Sequence, residues 1–220
     1  MDWQAIWLTA KLAGITTLIL AATGIPLAWW LARARKRYTF LVDALVGLPM
    51  VLPPTVLGFY VLVALGPHSP VGSLYESFAG HILPFTFESL VIASVLYSLP
   101  FAVRPFTAAF AGVDGRLLEI SRSLGRGPLY TFGRVAMPLS APGVISGLVL
   151  AFVHTVGEFG VVLMVGGNIA GETRTISISL YDDVQSLDYA RAHYTAAVLL
   201  AFSFVALCVT YALQPKGRQL

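Results

Sequence analysis

The sequence predicts an all-α membrane protein with five transmembrane helices and a folded, charged helix on the cytoplasmic side between the third and fourth. Three observations carry that class. Of 220 residues, 57% are hydrophobic and 11% charged, against about 25% charged in soluble domains, and the mean hydropathy is +0.78. So few polar side chains cannot cover a globule, and lipid must solvate much of the surface. Five apolar runs reach the length of about 20 residues that a bilayer crossing needs. The cations are also sorted: ten of the 14 Lys and Arg fall in loops and tail on one side of these runs, and only Arg174 and Arg191 in loops on the other.

Span one covers residues 12–32 and carries no charge. Arg33, Arg35, Lys36 and Arg37 follow it, whereas a cleaved leader carries its cations before the apolar run; the span is therefore expected to stay. Lys11, at its outer end, is expected to snorkel to the interface. Span two lies within 44–66 and contains Pro49, Pro53 and Pro54. Each proline removes a backbone donor and bends the helix, and Thr55 and Gly58 behind them are small enough for close helix approach. Span three covers 87–110 and is interrupted by Arg104 before Pro105; that arginine is expected to snorkel to the inner headgroups. Span four covers 139–166 and is interrupted by Glu158, flanked by Gly157 and Gly160. Span five covers 193–213. Such breakers are tolerated where neighbouring helices or water satisfy the freed backbone, so kinked helices around an internal path are expected. Pro49, Pro53, Pro54, Thr55 and Gly58 are the candidate bend of that path.

Intramembrane carboxylates face water or pair with a cation. Glu158 falls in the outer third of span four, and His154 stands one helical turn before it. A structural pair and a transport role stay equally open for the two. Hinge, gate latch or partner for Arg174 are the roles open to Glu158, and Gly160 would allow movement beside it.

By the positive-inside rule the Arg-rich side is cytoplasmic, which puts the N-terminus outside and the C-terminus inside. Five spans cannot divide into two inverted halves, and no internal repeat is visible; a half-pore completed by a second copy is expected. The expected organisation is a single transmembrane domain over 1–220. Cys208 is the only cysteine, so no internal disulfide can form. His68, His81, His154 and His193 lack ligand spacing, and no nucleophile–base pair or cofactor fingerprint is present. Neither metal, cofactor nor catalysis is expected. GGNIAGET at 166–173 has glycines at phosphate-loop spacing, but Glu172 stands where lysine is needed. A net charge of +3 is weak grounds for a nucleic-acid partner, and none is expected.

The segment 113–138 between spans three and four holds the sharpest pattern, EISRSLGRGPLYTFGRVAMP at 119–138. Leu117, Leu118, Ile120 and Leu124 cluster at helical spacing, and Gly125-Arg126-Gly127-Pro128 ends the helix. Taken alone, this is a surface helix lying on anionic headgroups. Its spacing resembles the cytoplasmic coupling loop of bacterial ABC-importer permeases: Glu119, Ile120 and Ser121, three residues, Gly125, nine residues, Val135, one residue, then Met137 and Pro138. Ile120, Ser121, Val135 and Met137 depart from the family's residue types. LPMVLPPTVLGFYVLVALG at 48–66, VGEFGVV at 156–162 and GGNIAGETRTI at 166–176 resemble the permease subunit of molybdate ABC importers, with sulfate, thiosulfate and tungstate permeases as close relatives.

The resemblance implies a type I ABC-importer permease fold and a homodimer. It further implies two ABC ATPase subunits on the cytoplasmic loops and a periplasmic or lipid-anchored oxyanion-binding protein outside. It makes Glu119, Ser121, Leu124, Gly125, Arg126 and Pro138 the ATPase-coupling residues. The polar stretch 166–192, with Glu172, Arg174, Asp182, Asp183, Asp188 and Arg191, becomes the surface that meets the binding protein. A lipid-facing scaffold and a passive channel are the rivals; the first needs no ATPase, and the second conducts without ATP.

Overall fold

The computed structural model describes residues 2–34 and 38–213. Of the cations that orient the chain, Arg35, Lys36, Arg37, Lys216 and Arg218 lie outside the described residues. All regular structure among the described residues is helical. α1 (Trp3–Arg33) is followed by α2 (Thr39–Val51), α3 (Pro54–Leu65), α4 (Pro70–Ala79) and α5 (Phe87–Ala111). α6 (Gly115–Ser123), α7 (Pro128–Thr131), a π-helical turn (Phe132–Ala136) and α8 (Met137–Gly157) come next. α9 (Gly160–Gly166), α10 (Ile176–Gln185) and α11 (Tyr189–Leu213) complete the order.

Four rods are long and apolar enough to cross a membrane: α1, α5, the continuous run Pro128–Gly157, and α11. The pair α2 and α3, bent by 112° at Leu52-Pro53, passes the same test only when taken together. Pro53 and Pro54 cause the break, since neither offers an amide to the preceding turn. Four of the five expected spans thus correspond to single rods with altered ends, and the second corresponds to the bent pair. α1 begins at Trp3, well before residue 12, because Asp2 caps it by accepting from the amides of Gln4 and Ala5. Span four is not continuous: α8 stops at Gly157, Glu158 is extended, and α9 restarts at Gly160.

The main core is built by α1, α5 and α8. Leu20, Ala28, Ala102, Val103, Phe106, Phe110, Val144 and Ala151 are buried in one cluster. Small residues let the helices approach, as in other membrane bundles. A Cβ on Gly147 would stand 2.7 Å from the Phe106 ring, and one on Gly24 would meet the same ring from α1. At one end, Leu8, Leu12, Leu90, Val162 and Ile178 form a second cluster. α11 packs along α8 and α10 and leaves Leu200, Phe204 and Val205 exposed, a face suited to lipid.

The stretch 166–192 is not a solvated loop throughout. α10 tucks against α1, with Ile178 fully buried and the Ile176 amide donating to Thr9 Oγ1 at 2.8 Å. Its charges pair locally. Arg174 Nε donates to Asn168 Oδ1 at 2.6 Å and lies 3.7 Å from Asp182, while Arg191 lies near Asp183 and Asp188. Lys11 sits over the Phe87 ring, 4.4 Å from its centroid.

Candidate functional site

The segment 113–138 is a small folded unit with its own base. Asp114 caps α6 by accepting from the Arg116 amide at 2.9 Å. Leu118 is buried with Val113 and Ala136, and Trp29, Phe132 and Val135 pack around them. The Trp29 ring meets Phe110 and Phe132 edge-on at 5.3 and 5.2 Å, and the Arg33 guanidinium lies over it and donates to the Phe110 carbonyl. These contacts tie the segment to the ends of α1 and α5. Ser121 is buried, and its hydroxyl bonds the Thr131 hydroxyl at 2.8 Å, joining α6 to α7.

The turn after α6 needs glycine. Gly125 has φ +73, its amide donates to the Arg122 carbonyl at 2.9 Å, and the Arg126 amide donates to the Ser121 carbonyl at 3.2 Å. This pair of bonds is the Schellman ending, in which a left-handed residue satisfies the last carbonyls of the helix. A Cβ at Gly125 would meet nothing within 4 Å, so backbone conformation alone imposes the residue. Pro138 explains the π turn before α8. It has no amide for the Arg134 carbonyl and its ring would crowd it; the widened turn instead lets the Met137 amide donate to the Phe132 carbonyl, five residues back.

The expected single apolar face of α6 is not what forms. Leu118 and Ser121 face the protein, whereas Leu117, Ile120 and Leu124 are exposed, Leu124 at 73%. Glu119 is also exposed and has no hydrogen bond or ion pair among the described residues. Arg126 stacks on Tyr130 at 4.8 Å. The segment thus has a fixed inner side and an outer side of apolar and charged groups with little to hold them within the chain.

The membrane candidates divide. Pro54, Gly58 and Gly160 come together where α3 packs on α9: a Cβ on Gly160 would lie 2.7 Å from Pro54 Cβ, and one on Gly58 2.7 Å from Met164 Cβ. The break in span two and the break in span four therefore pack on each other. Pro53 and Thr55 stand exposed at the bend, and Pro49 is buried within α2.

His154 and Glu158 do not pair. The pairing expectation assumed one helix through both residues, and that helix ends between them. His154 stacks on Phe101 with centroids 3.7 Å apart, and its Nδ1 lies 2.9 Å from Ser98 Oγ. Thr155 donates to the Ala151 carbonyl, so its proton is taken. Ser98, 2.9 Å from Thr155 Oγ1, must then donate to Thr155 and accept from His154, which assigns the Nδ1–H tautomer. Glu158 does not reach Arg174 either, whose partners are Asn168 and Asp182. Both its carboxyl oxygens are buried, with the Ser94 hydroxyl as the polar group beside them. Thr16 Oγ1 and Thr17 Oγ1 are likewise buried, with no hydrogen-bond partner among the described residues. The Ser94–Ser98 stripe was readable as a polar i, i+4 pair in span three; its partners across the bundle were not.

The chain matches the family described as binding-protein-dependent transport system inner membrane component over residues 24–219. It is 51% identical to the molybdenum transport system permease protein ModB of Azotobacter vinelandii, covering 96% of this chain and 93% of that protein. It is 37% identical to the Escherichia coli K12 protein of the same description, over 84% and 81% of the two chains. Among solved structures, a chain of a bacterial ABC transporter involved in alginate import has the same fold, with TM-score 0.71 at 21% identity and coverage of 96% and 76%. A chain of the inward-facing MetNI methionine ABC transporter gives 0.69 at 14% identity, over 98% and 97%. The expected type I importer permease fold is the one observed, and the chain belongs to the binding-protein-dependent transport system inner membrane component family.

Proposed function

We propose that this chain is the permease subunit of an ATP-driven molybdate importer. It works as a single transmembrane domain with its N-terminus outside and its C-terminus in the cytoplasm. Two copies line one path, an oxyanion-binding protein delivers molybdate from outside, and two ABC ATPase subunits grip the cytoplasmic segments. ATP hydrolysis belongs to those partners, and this chain does no chemistry.

The observation that carries this reading is the two-sided character of the coupling segment. Its inner side is anchored by Leu118 and the Ser121–Thr131 bond to the ends of α1, α5 and α8. Its outer side presents Glu119, Leu124 and Arg126. A rigid base under an open face suits a lever: a partner that pulls the outer groups moves the crossing helices with them. Glu119 would hold a cation or backbone amide of the ATPase groove, while Gly125 and Pro138 set the turns at either end. In the membrane, the α3–α9 contact at Pro54, Gly58 and Gly160 is the proposed hinge, with Pro49, Pro53 and Thr55 along the bend. His154 and Glu158 stiffen and mark the break in span four.

The test is uptake of labelled molybdate in vesicles holding the permease with its ATPase and binding protein. Glu119→Ala should lower ATP-dependent uptake about tenfold or more, the loss of a charge-assisted contact, with the permease still inserted at the parent level. Normal uptake by that variant would count against the coupling role. Uptake that survives ATP depletion would favour a passive channel.

A further inference from the structure

Arg104 lies within a crossing helix, seven residues before the end of α5, about 10 Å in along the axis. A guanidinium buried at the centre of a crossing helix costs about 2.5–3.5 kcal/mol on insertion scales unless it reaches water or headgroups. Snorkelling to the inner headgroups is the sequence expectation, but the Arg104 side chain lies against α2 instead.

Side chains on a helix lean toward its N-terminus. For Arg104 that direction is the middle of the membrane, whichever way the chain is oriented. The guanidinium lies directly on α2 at Gly47, where an added Cβ would collide with Nη2. Gly47 lies in the second half of α2, five residues before the bend at Leu52. Finally, Arg104 is exposed and lines an open groove of about 370 Å³ between α2 and α5, together with Asp43 and Thr107. Neither charge forms an ion pair with the other or with any other described residue.

Two opposite, unpaired charges lining one groove cannot be solvated by acyl chains, so the groove holds water. A groove of this kind, running between α2 at Asp43 and Val46 and the last turns of α5, fits the path better than the lipid face. We propose that the groove between α2 and α5 faces the path that the two copies share and lines its inner stretch, and that the Arg104 guanidinium is a transient contact for the tetrahedral oxyanion. The planar fork of donors suits two oxygens of such an anion. Asp43 on the opposite wall repels it and keeps the stay short, as conduction requires. Gly47 keeps the guanidinium seated without a side chain in its way. This inference rests on the oxyanion-permease reading.

The experiment uses the full importer in vesicles, with Cys208→Ser as parent so that the native thiol is gone. Arg104→Cys in that background should take up molybdate about tenfold or more slowly, as expected for one charge-assisted contact removed. Membrane-impermeant thiosulfonate reagents of similar reach, one ending in trimethylammonium and one in sulfonate, should both modify the new thiol from the cytoplasmic side. The cationic adduct should restore uptake several-fold and the anionic adduct should not, and molybdate should slow both modifications. Because the same protein sample carries either charge, misfolding cannot produce this split. A thiol that resists both reagents, equal recovery with either charge, or parent-like uptake by Arg104→Cys would each overturn the proposal while leaving the oxyanion reading intact. A Cys208→Ser parent that hydrolyses ATP in response to its binding protein but moves no molybdate would overturn the reading itself.

Discussion

The turn after α6 and the packed breaks of α3 and α9 both depend on glycine, for opposite reasons. At Gly125 the backbone is left-handed, with φ +73, and space around it is empty. At Gly58 and Gly160 the backbone lies outside the left-handed region, and a Cβ would press on Met164 or Pro54 at 2.7 Å. The turn after α6 is fixed by conformation and sterically open, as the proposed handle needs. The α3–α9 contact is fixed by packing and sterically closed, as the proposed hinge needs. The two proposed parts thus use the same residue type by different physics.

The comparison breaks first at the hinge. Gly58→Leu forces a branched side chain against Met164 and the α9 backbone. It should destabilise the whole protein by about 3 kcal/mol, the upper range for overpacking. Thermal unfolding in detergent checks this, and uptake should be lost with it. An unchanged melting temperature would mean that α3 and α9 are free to part.

Effects at the handle should be smaller and local. Ser121→Ala leaves the buried Thr131 hydroxyl without its partner, at a cost of about 1–3 kcal/mol. Faster amide exchange confined to α6 and α7 should reveal it, and the double change with Thr131→Val should recover most of the loss. Gly125→Ala should cost about 1–2 kcal/mol through the left-handed backbone alone. Gly125→Asn should cost less, because asparagine tolerates that region. If Ala and Asn behave alike, the Schellman turn is not what fixes glycine there.

The crossing helices were legible in the sequence because apolar runs and charge sorting are local signals. So was the break at Pro53-Pro54, although its 112° angle was not. The position of Gly125 was legible for the same reason: helix endings are written within a few residues. Contacts between distant segments were not. Glu158 read as part of a continuous helix because its neighbours are apolar, and the alternative of a structural pair with His154 followed from that. α10 read as surface because of Asp182 and Asp183, yet Ile176 and Ile178 bury one side of it. Leu117, Leu118, Ile120 and Leu124 read as one apolar face; the core took Leu118 alone, which only the fold of α7 and the π turn decides.

The account's central claim is that the open side of α6 is held by a cytoplasmic ATPase. Its most direct test is thiol labelling of Leu124→Cys in the Cys208→Ser background. The predicted result is modification by an impermeant reagent from the cytoplasmic side only, suppressed when the ATPase subunits are bound. Labelling from the outer face, or cytoplasmic labelling that bound ATPase leaves unchanged, would contradict it.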